Sequence, residues 1–135
     1  MRRYSFRALG AAAVLLLVAL PARAHHSAAA AFDTTKPVTV TGVITEVRIE
    51  NPHTWFYLDV TDASGKVVNW GFEGTTPTAL IRSGFKRDSL KPGDKVSVKG
   101  VHARDTTAAR GAASQITLVS TGQVFTVGGG GENNN

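Results

Sequence analysis

The chain of 135 residues contains no cysteine. No disulfide bond can form, so the hydrophobic core must hold the fold without covalent cross-links. The absence also excludes thiolate catalysis, lipid attachment through cysteine and every metal site with cysteine ligands.

Long apolar runs are scarce, and the clearest lies near the N-terminus. Three arginines precede an apolar stretch from Leu9 to Leu20, and residues 22–24 have the small-residue pattern of a cleavage site. This order predicts a secretory signal peptide over residues 1–24, cleaved after Ala24. About a dozen apolar residues are fewer than the roughly 20 that cross a bilayer, so we expect no stable membrane anchor after cleavage.

An excess of positive charge is absent from the expected mature protein. The chain has 15 Lys and Arg against 10 Asp and Glu, but four of the arginines lie in the predicted signal peptide. Subtracting those four from 15 leaves 11 basic against 10 acidic residues, a net charge of about +1. The composition therefore gives no support for binding to nucleic acid or to an anionic membrane.

The rest of the chain is long enough for one domain with one core. We expect an N-terminal segment over residues 25–36 and a folded domain over residues 37–127. Residues 128–135 are rich in glycine and asparagine and are predicted to be a disordered tail.

Alternating apolar residues predict strands in the first half of the domain. The alternation from Val38 to Ile49 changes phase midway, which indicates one long strand with a bulge at Gly42 or at the Thr45-Glu46 step. After a break at Asn51-Pro52, residues 54–61 and 66–73 alternate on either side of a turn and predict a β-hairpin.

A short helix is predicted next, followed by further strands. Thr76 is a suitable cap, Pro77 suits the first helical position, residues 79–81 would supply apolar contacts, and Gly84 would end the helix. Strands are expected over residues 95–102, 114–119 and 124–127, with a loop over residues 103–112.

Three strands, a helix and then two or three strands are typical of an all-β fold of the OB type. We predict a small five- to six-stranded OB-fold-like barrel with one short helix between strands 3 and 4. The bulged first strand supports a barrel, because a bent strand lets a small sheet close on itself. A small open β-sandwich is the alternative.

Five motifs stand out along the expected mature chain: His25-His26-Ser27, Lys36-Pro37-Val38, Asn51-Pro52-His53-x-Trp55, Asn69-Trp70-x-Phe72-Glu73 and Asp88-Ser89-Leu90-Lys91-Pro92-Gly93-Asp94. Together they resemble a family of small exported bacterial proteins of unknown function. The resemblance spans nearly the whole expected mature chain and implies a periplasmic, Gram-negative setting. It implies no activity. A looser likeness is to periplasmic OB-fold proteins, which are regarded as ligand-binding modules.

The outer face of the predicted hairpin is the first candidate site. Its five residues, here called the aromatic face, are Trp55, Tyr57, Asp59, Asn69 and Glu73. OB-folds bind oligosaccharides and oligonucleotides on this side of the sheet. Aromatic rings beside acids and amides, with few bases, favour a sugar or a small cation over a polyanion. Alternatively, the aromatic residues only stabilise the sheet.

The histidines form a second candidate site. Cleavage after Ala24 would leave His25 at the N-terminus, where its amine and imidazole can both bind a metal ion, and His26 or His53 could supply a third ligand. Such nitrogen ligands favour copper. Alternatively, His25 and His26 are simply exposed, and His53 hydrogen-bonds the turn and packs beside Trp55. His102 is interpreted as a packing residue.

No catalytic motif is present, so we expect a protein that is not an enzyme. The leading hypothesis is a periplasmic module that binds a small molecule or an envelope protein on the aromatic face. The alternatives are copper binding through His25, His26 and His53, and a purely structural envelope role.

Overall fold

The computed structural model describes residues 31–128. Its regular elements are β1 (Phe32–Arg48), β2 (Trp55–Thr61), β3 (Val67–Glu73), α1 (Pro77–Arg82), β4 (Lys95–Ala103), β5 (Arg110–Leu118) and β6 (Val124–Thr126). Within this range no helix is long and apolar enough to cross a membrane.

Five of the strands close into a ring. β1 pairs antiparallel with β2 on one side and with β4 on the other, β2 pairs with β3, and β4 pairs with β5. A parallel pairing of β3 with β5 completes the ring, and β6 extends the sheet beyond β5. The prediction of an all-β, barrel-like fold with a short helix between the third and fourth strands is confirmed, and the open sandwich is not formed.

The first strand contains the predicted bulge. Its register with β2 shifts between Ile44 and Glu46, which confirms the Thr45-Glu46 step as the irregular position. Gly42 has a different role: a Cβ at this position would collide with the carbonyl group of Asp59. At Val43 the strand pairs with both β2 and β4, so β1 passes from one neighbour to the other at its bend.

The start of β1 and the start of β5 differ from expectation. β1 begins at Phe32, inside the predicted N-terminal segment, because residues 32–33 pair with the end of β4. β5 begins at Arg110, inside the predicted loop, because residues 110–112 pair with β3. Neither extension has a strong apolar alternation, and only the pairing with a distant strand makes these residues extended.

The core fills the inside of the ring. Phe56 and Leu58 of β2 and Phe72 of β3 are fully buried and pack with apolar residues from every other strand of the ring. Thr54, directly before β2, is a buried polar residue whose hydroxyl donates to the carbonyl oxygen of Thr75 (2.9 Å).

The helix closes one part of this core, with its predicted cap. Thr76 Oγ1 accepts a hydrogen bond from the amide of Ala79, and Pro77 begins the helix. Only Leu80 is buried, whereas Ile81 is 51% exposed. Of residues 79–81, which were expected to supply the apolar contacts of the helix, Leu80 alone is buried, since a six-residue helix lying on a barrel buries only a narrow stripe.

Candidate ligand-binding face

The five residues of the aromatic face share the outer side of the β2–β3 hairpin. Phe56 and Leu58 point into the core, so the alternation of a strand places Trp55, Tyr57 and Asp59 on the opposite side. The register then pairs Trp55 with Glu73, Tyr57 with Gly71 and Asp59 with Asn69. The predicted common face is therefore what the pairing produces.

The two aromatic rings of the face lie side by side. The ring centroids of Trp55 and Tyr57 are 6.1 Å apart, and the planes differ by 18°. Gly71 makes this possible, because a Cβ there would lie only 3.1 Å from the Tyr57 ring. The absence of a side chain at position 71 lets the tyrosine ring lie across the neighbouring strand.

Tyr57 is flanked by an arginine that has an acidic partner. The guanidinium carbon of Arg48 lies 5.0 Å from the centre of the Tyr57 ring. Arg48 also donates from Nε to Glu46 Oε1 (2.6 Å) and from Nη2 to Glu46 Oε2 (3.1 Å). The hydrogen bond from Arg48 lowers the pKa of Glu46 below its ordinary value. The positive charge beside Tyr57 is therefore balanced by a bidentate carboxylate.

Trp55 is flanked by an arginine without such a partner. The guanidinium carbon of Arg110 lies 4.9 Å from the centre of the Trp55 ring. Among residues 31–128 no carboxylate lies within ion-pair distance of Arg110. Arg110 is the first residue of β5 and reaches the hairpin because its backbone pairs with Gly71.

The end of the face near Asp59 is polar. Asn69 Nδ2 donates to Asp59 Oδ1 (2.8 Å) and to Thr45 Oγ1 (3.2 Å). These three residues come from three neighbouring strands, and Asp59 and Asn69 are exposed. The face thus runs from a cation beside Trp55, over the tyrosine ring, to an acid and an amide.

His53 lies next to this face and contacts Glu73. Its Nδ1 atom lies against Glu73 Oε1 and forms an ion pair with it when the imidazole is protonated. The expectation that His53 would hydrogen-bond backbone groups of the turn missed this side-chain partner. The second ring nitrogen, Nε2, makes no hydrogen bond with another described residue.

The predicted metal ligands can be followed only in part. His25 and His26 lie outside residues 31–128. Within that range no group of three or more His, Asp or Glu side chains is arranged to hold a metal ion. His102 packs as expected: its ring lies edge-on to Trp70 at 5.2 Å between centroids, and its Nδ1 contacts the carbonyl oxygen of Ala103 (3.0 Å).

Two functional candidates on this face were missed by the sequence reasoning. The expectation of few bases was wrong, because Arg48 and Arg110 both lie against the aromatic rings. A small cationic ligand is therefore disfavoured. Arg48 could have been found, since it follows the bulge and faces the start of β2. Arg110 could not, because its predicted loop gave no sign of a pairing with β3.

Comparison with known proteins gives a family but no activity. No curated protein matches the chain, and no solved structure matches it. A family model matches three quarters of the sequence. The family has no assigned function, which confirms that part of the resemblance described above. The chain belongs to the family of unknown function DUF6152, whose model matches residues 12–112.

Proposed function

We propose that the protein is an exported, periplasmic binding module without catalytic activity, and that it binds a small ligand on the aromatic face. The observation that supports the proposal is the pair of half-buried, nearly parallel rings of Trp55 and Tyr57 on the outside of the barrel. Rings of this kind provide a large contact area at a small cost in side-chain entropy.

Sheet stabilisation alone gives a weaker account of these rings. Cross-strand stabilisation is strongest between aromatic or β-branched partners that face each other directly. Trp55 instead faces Glu73, and Tyr57 faces Gly71. Covering Gly71 explains part of the Tyr57 contact. No comparable packing role accounts for Trp55, whose ring contacts Tyr57 and Arg110.

Screening the mature protein tests this proposal. A panel of small sugars and organic acids is added while the amide resonances are followed by NMR, and we expect the shifts to cluster at residues 53–59 and 69–73. Trp55→Ala should strongly reduce the shifts while the protein stays folded. Val124→Ala removes an exposed apolar side chain from β6 and serves as the control. Ligands that shift other regions only would contradict the proposal.

Copper binding through His25, His26 and His53 is a second candidate, supported by one contact. Metal-binding histidines usually hold their other ring nitrogen against a carboxylate, which fixes the ring and raises its basicity. His53 has this arrangement, with Nδ1 on Glu73 and Nε2 without a described partner. The His53 side chain is 38% exposed, so an ion can reach Nε2.

A copper(II) titration tests this second candidate. We expect one-to-one binding that is lost when an extra residue precedes His25 and that is weakened by His53→Ala. His102→Ala is the control, because that imidazole packs on Trp70. Weak binding that is equal in all proteins would contradict a copper site. If Trp55→Ala and His53→Ala both leave every measured interaction unchanged, the structural envelope role becomes the better hypothesis.

A further inference from the structure

The two arginines beside the aromatic face differ in what holds them. Arg48 is bound to Glu46 by two hydrogen bonds while it contacts Tyr57. Arg110 is exposed and contacts the Trp55 ring, and no carboxylate of residues 31–128 pairs with it. One cation is therefore neutralised in place, and the other is available to a ligand.

This difference decides where a ligand can approach. A guanidinium over an exposed ring is held only weakly. Arg110 can move aside from Trp55 at that small cost. Arg48 would also have to leave a bidentate carboxylate, a stronger and more directional contact. The Trp55 ring is thus the surface that opens, and the released Arg110 guanidinium lies within reach of whatever stacks there.

The charges along the face set the chemistry of that ligand. Arg110 lies at the Trp55 end, where the neighbouring carboxylate, Glu73, contacts His53. Asp59 lies at the other end beyond Tyr57. An anionic group fits beside Arg110 and is repelled by Asp59. At the Asp59 end, the carboxylate and the Asn69 amide are exposed and suit hydroxyl groups. A ligand with one acidic end and a hydroxylated end matches this order.

We propose that the aromatic face binds an oligosaccharide with a single uronic acid unit, whose ring stacks on Trp55 and whose carboxylate pairs with Arg110. This inference rests on the proposed function and adds the ligand class and the residue that selects it. The hydroxyl groups of the neutral unit pass over Tyr57 and hydrogen-bond Asp59 and Asn69. Arg110 distinguishes the acidic sugar from its neutral counterpart, and Trp55 binds both.

Calorimetry with two matched disaccharides tests the proposal. Cellobiouronic acid differs from cellobiose by a carboxylate in place of one hydroxymethyl group. We expect the acid to bind about tenfold more tightly, as one charge-assisted contact allows, and its affinity to fall as salt is raised. Arg110→Gln should remove the difference between the two sugars. Trp55→Ala should weaken both by a similar factor.

Matched controls separate this contact from general charge effects. Lys99→Gln removes one positive charge from the outside of β4, across the ring from the hairpin, and should retain the preference for the acid. The unfolding transition of Arg110→Gln should equal that of the parent protein, because the side chain is exposed.

Four outcomes would overturn the proposal. Equal binding of both sugars, lost in Trp55→Ala, would overturn the role of Arg110 and leave the proposed function intact. If Lys99→Gln also lost the preference for the acidic sugar, that preference would come from the net charge of the protein and not from a specific contact with Arg110. Tighter binding of benzoate than of cellobiouronic acid would indicate that the ligand is an aromatic acid and not a saccharide. Binding of neither sugar would overturn this inference, while a ligand found in the wider screen would still support the aromatic face.

Discussion

The two sides of strand β2 differ in burial and in the side chains that surround them. The inner side consists of Phe56 and Leu58, both fully buried. The outer side consists of Trp55, Tyr57 and Asp59, whose neighbours are charged or polar. Both sides have aromatic residues, so aromatic content alone does not separate core from site.

The position of a residue in the strand alternation, together with the side chains around it, indicates whether it packs in the core or lies on the candidate binding face. The inner ring of β2, Phe56, packs edge-on against Phe85 (6.1 Å, 76°) and is covered by the core. The outer rings lie nearly parallel, with guanidinium groups as neighbours. Changes on the inner side should therefore reduce the free energy of unfolding, whereas changes on the outer side should mainly reduce binding.

Removing an inner ring should have the largest effect. Phe56→Ala leaves a cavity in the core and is expected to lower the free energy of unfolding by about 3–5 kcal/mol. Trp55→Ala, one residue away on the outer side, should cost clearly less because its ring is half-exposed. Urea denaturation followed by circular dichroism measures both. Equal losses would show that the outer rings are part of the core.

A smaller effect is expected at the buried polar residue of the inner side. Thr54→Val removes the hydroxyl that donates to the Thr75 carbonyl, at nearly constant volume. We expect a loss of about 1 kcal/mol, since that carbonyl still accepts from the Thr54 amide (2.9 Å). Thr61→Val, at the exposed end of the same strand, is the matched control and should lie within about 0.5 kcal/mol of the parent.

A substitution on the outer side should change the position of an aromatic ring more clearly than it changes the free energy of unfolding. Gly71→Ala places a Cβ 3.1 Å from the Tyr57 ring, which must shift by a few tenths of an ångström. We expect the free energy of unfolding to change by less than about 1 kcal/mol, because the Tyr57 ring can tilt outward and relieve the close contact. Alanine also lowers the conformational entropy of the unfolded chain, which favours the folded state. NMR shifts of the Tyr57 ring should change clearly. An unchanged ring would mean that Gly71 does not set its position.

The smallest effect is expected at the exposed ion pair. Because Arg48 depresses the pKa of Glu46 in the folded protein, the pair stabilises the fold above the ordinary value of 4.5. That contribution is lost as the pH falls through the depressed value. Glu46→Gln should therefore lower the urea midpoint slightly at pH 7, and this difference should shrink as the pH falls below 4.5. A midpoint difference that stays constant as the pH falls would contradict this linkage.

Most of the fold could be predicted because its signals are local. The phase change in β1, the alternation of β2 and β3, and the cap at Thr76 each depend on residues close together in the chain. The aromatic face followed from the same alternation. The assignment to the OB-fold remains a prediction, supported by the ring and the position of the helix.

The rest depends on contacts between distant residues. The pairing of β3 with β5 brings Arg110 to Gly71, and no local pattern indicates it. The contact of His53 with Glu73 depends on where the hairpin register leaves the start of β2. The sequence therefore predicted the rings and acids of the candidate site but not the two arginines beside the rings, and so it favoured a small cation as much as a sugar.

Ring closure has a further consequence for folding kinetics. The residues that β3 and β5 join, Gly71 and Arg110, are 39 positions apart in the chain. Closing so long a loop costs chain entropy before any contact compensates for it, and non-local pairings of this kind slow folding. Arg110 reaches Trp55 only through that closure. Trp55 fluorescence during the refolding of a Trp70→Phe variant would therefore measure the rate at which β3 pairs with β5 and Arg110 reaches the Trp55 side chain.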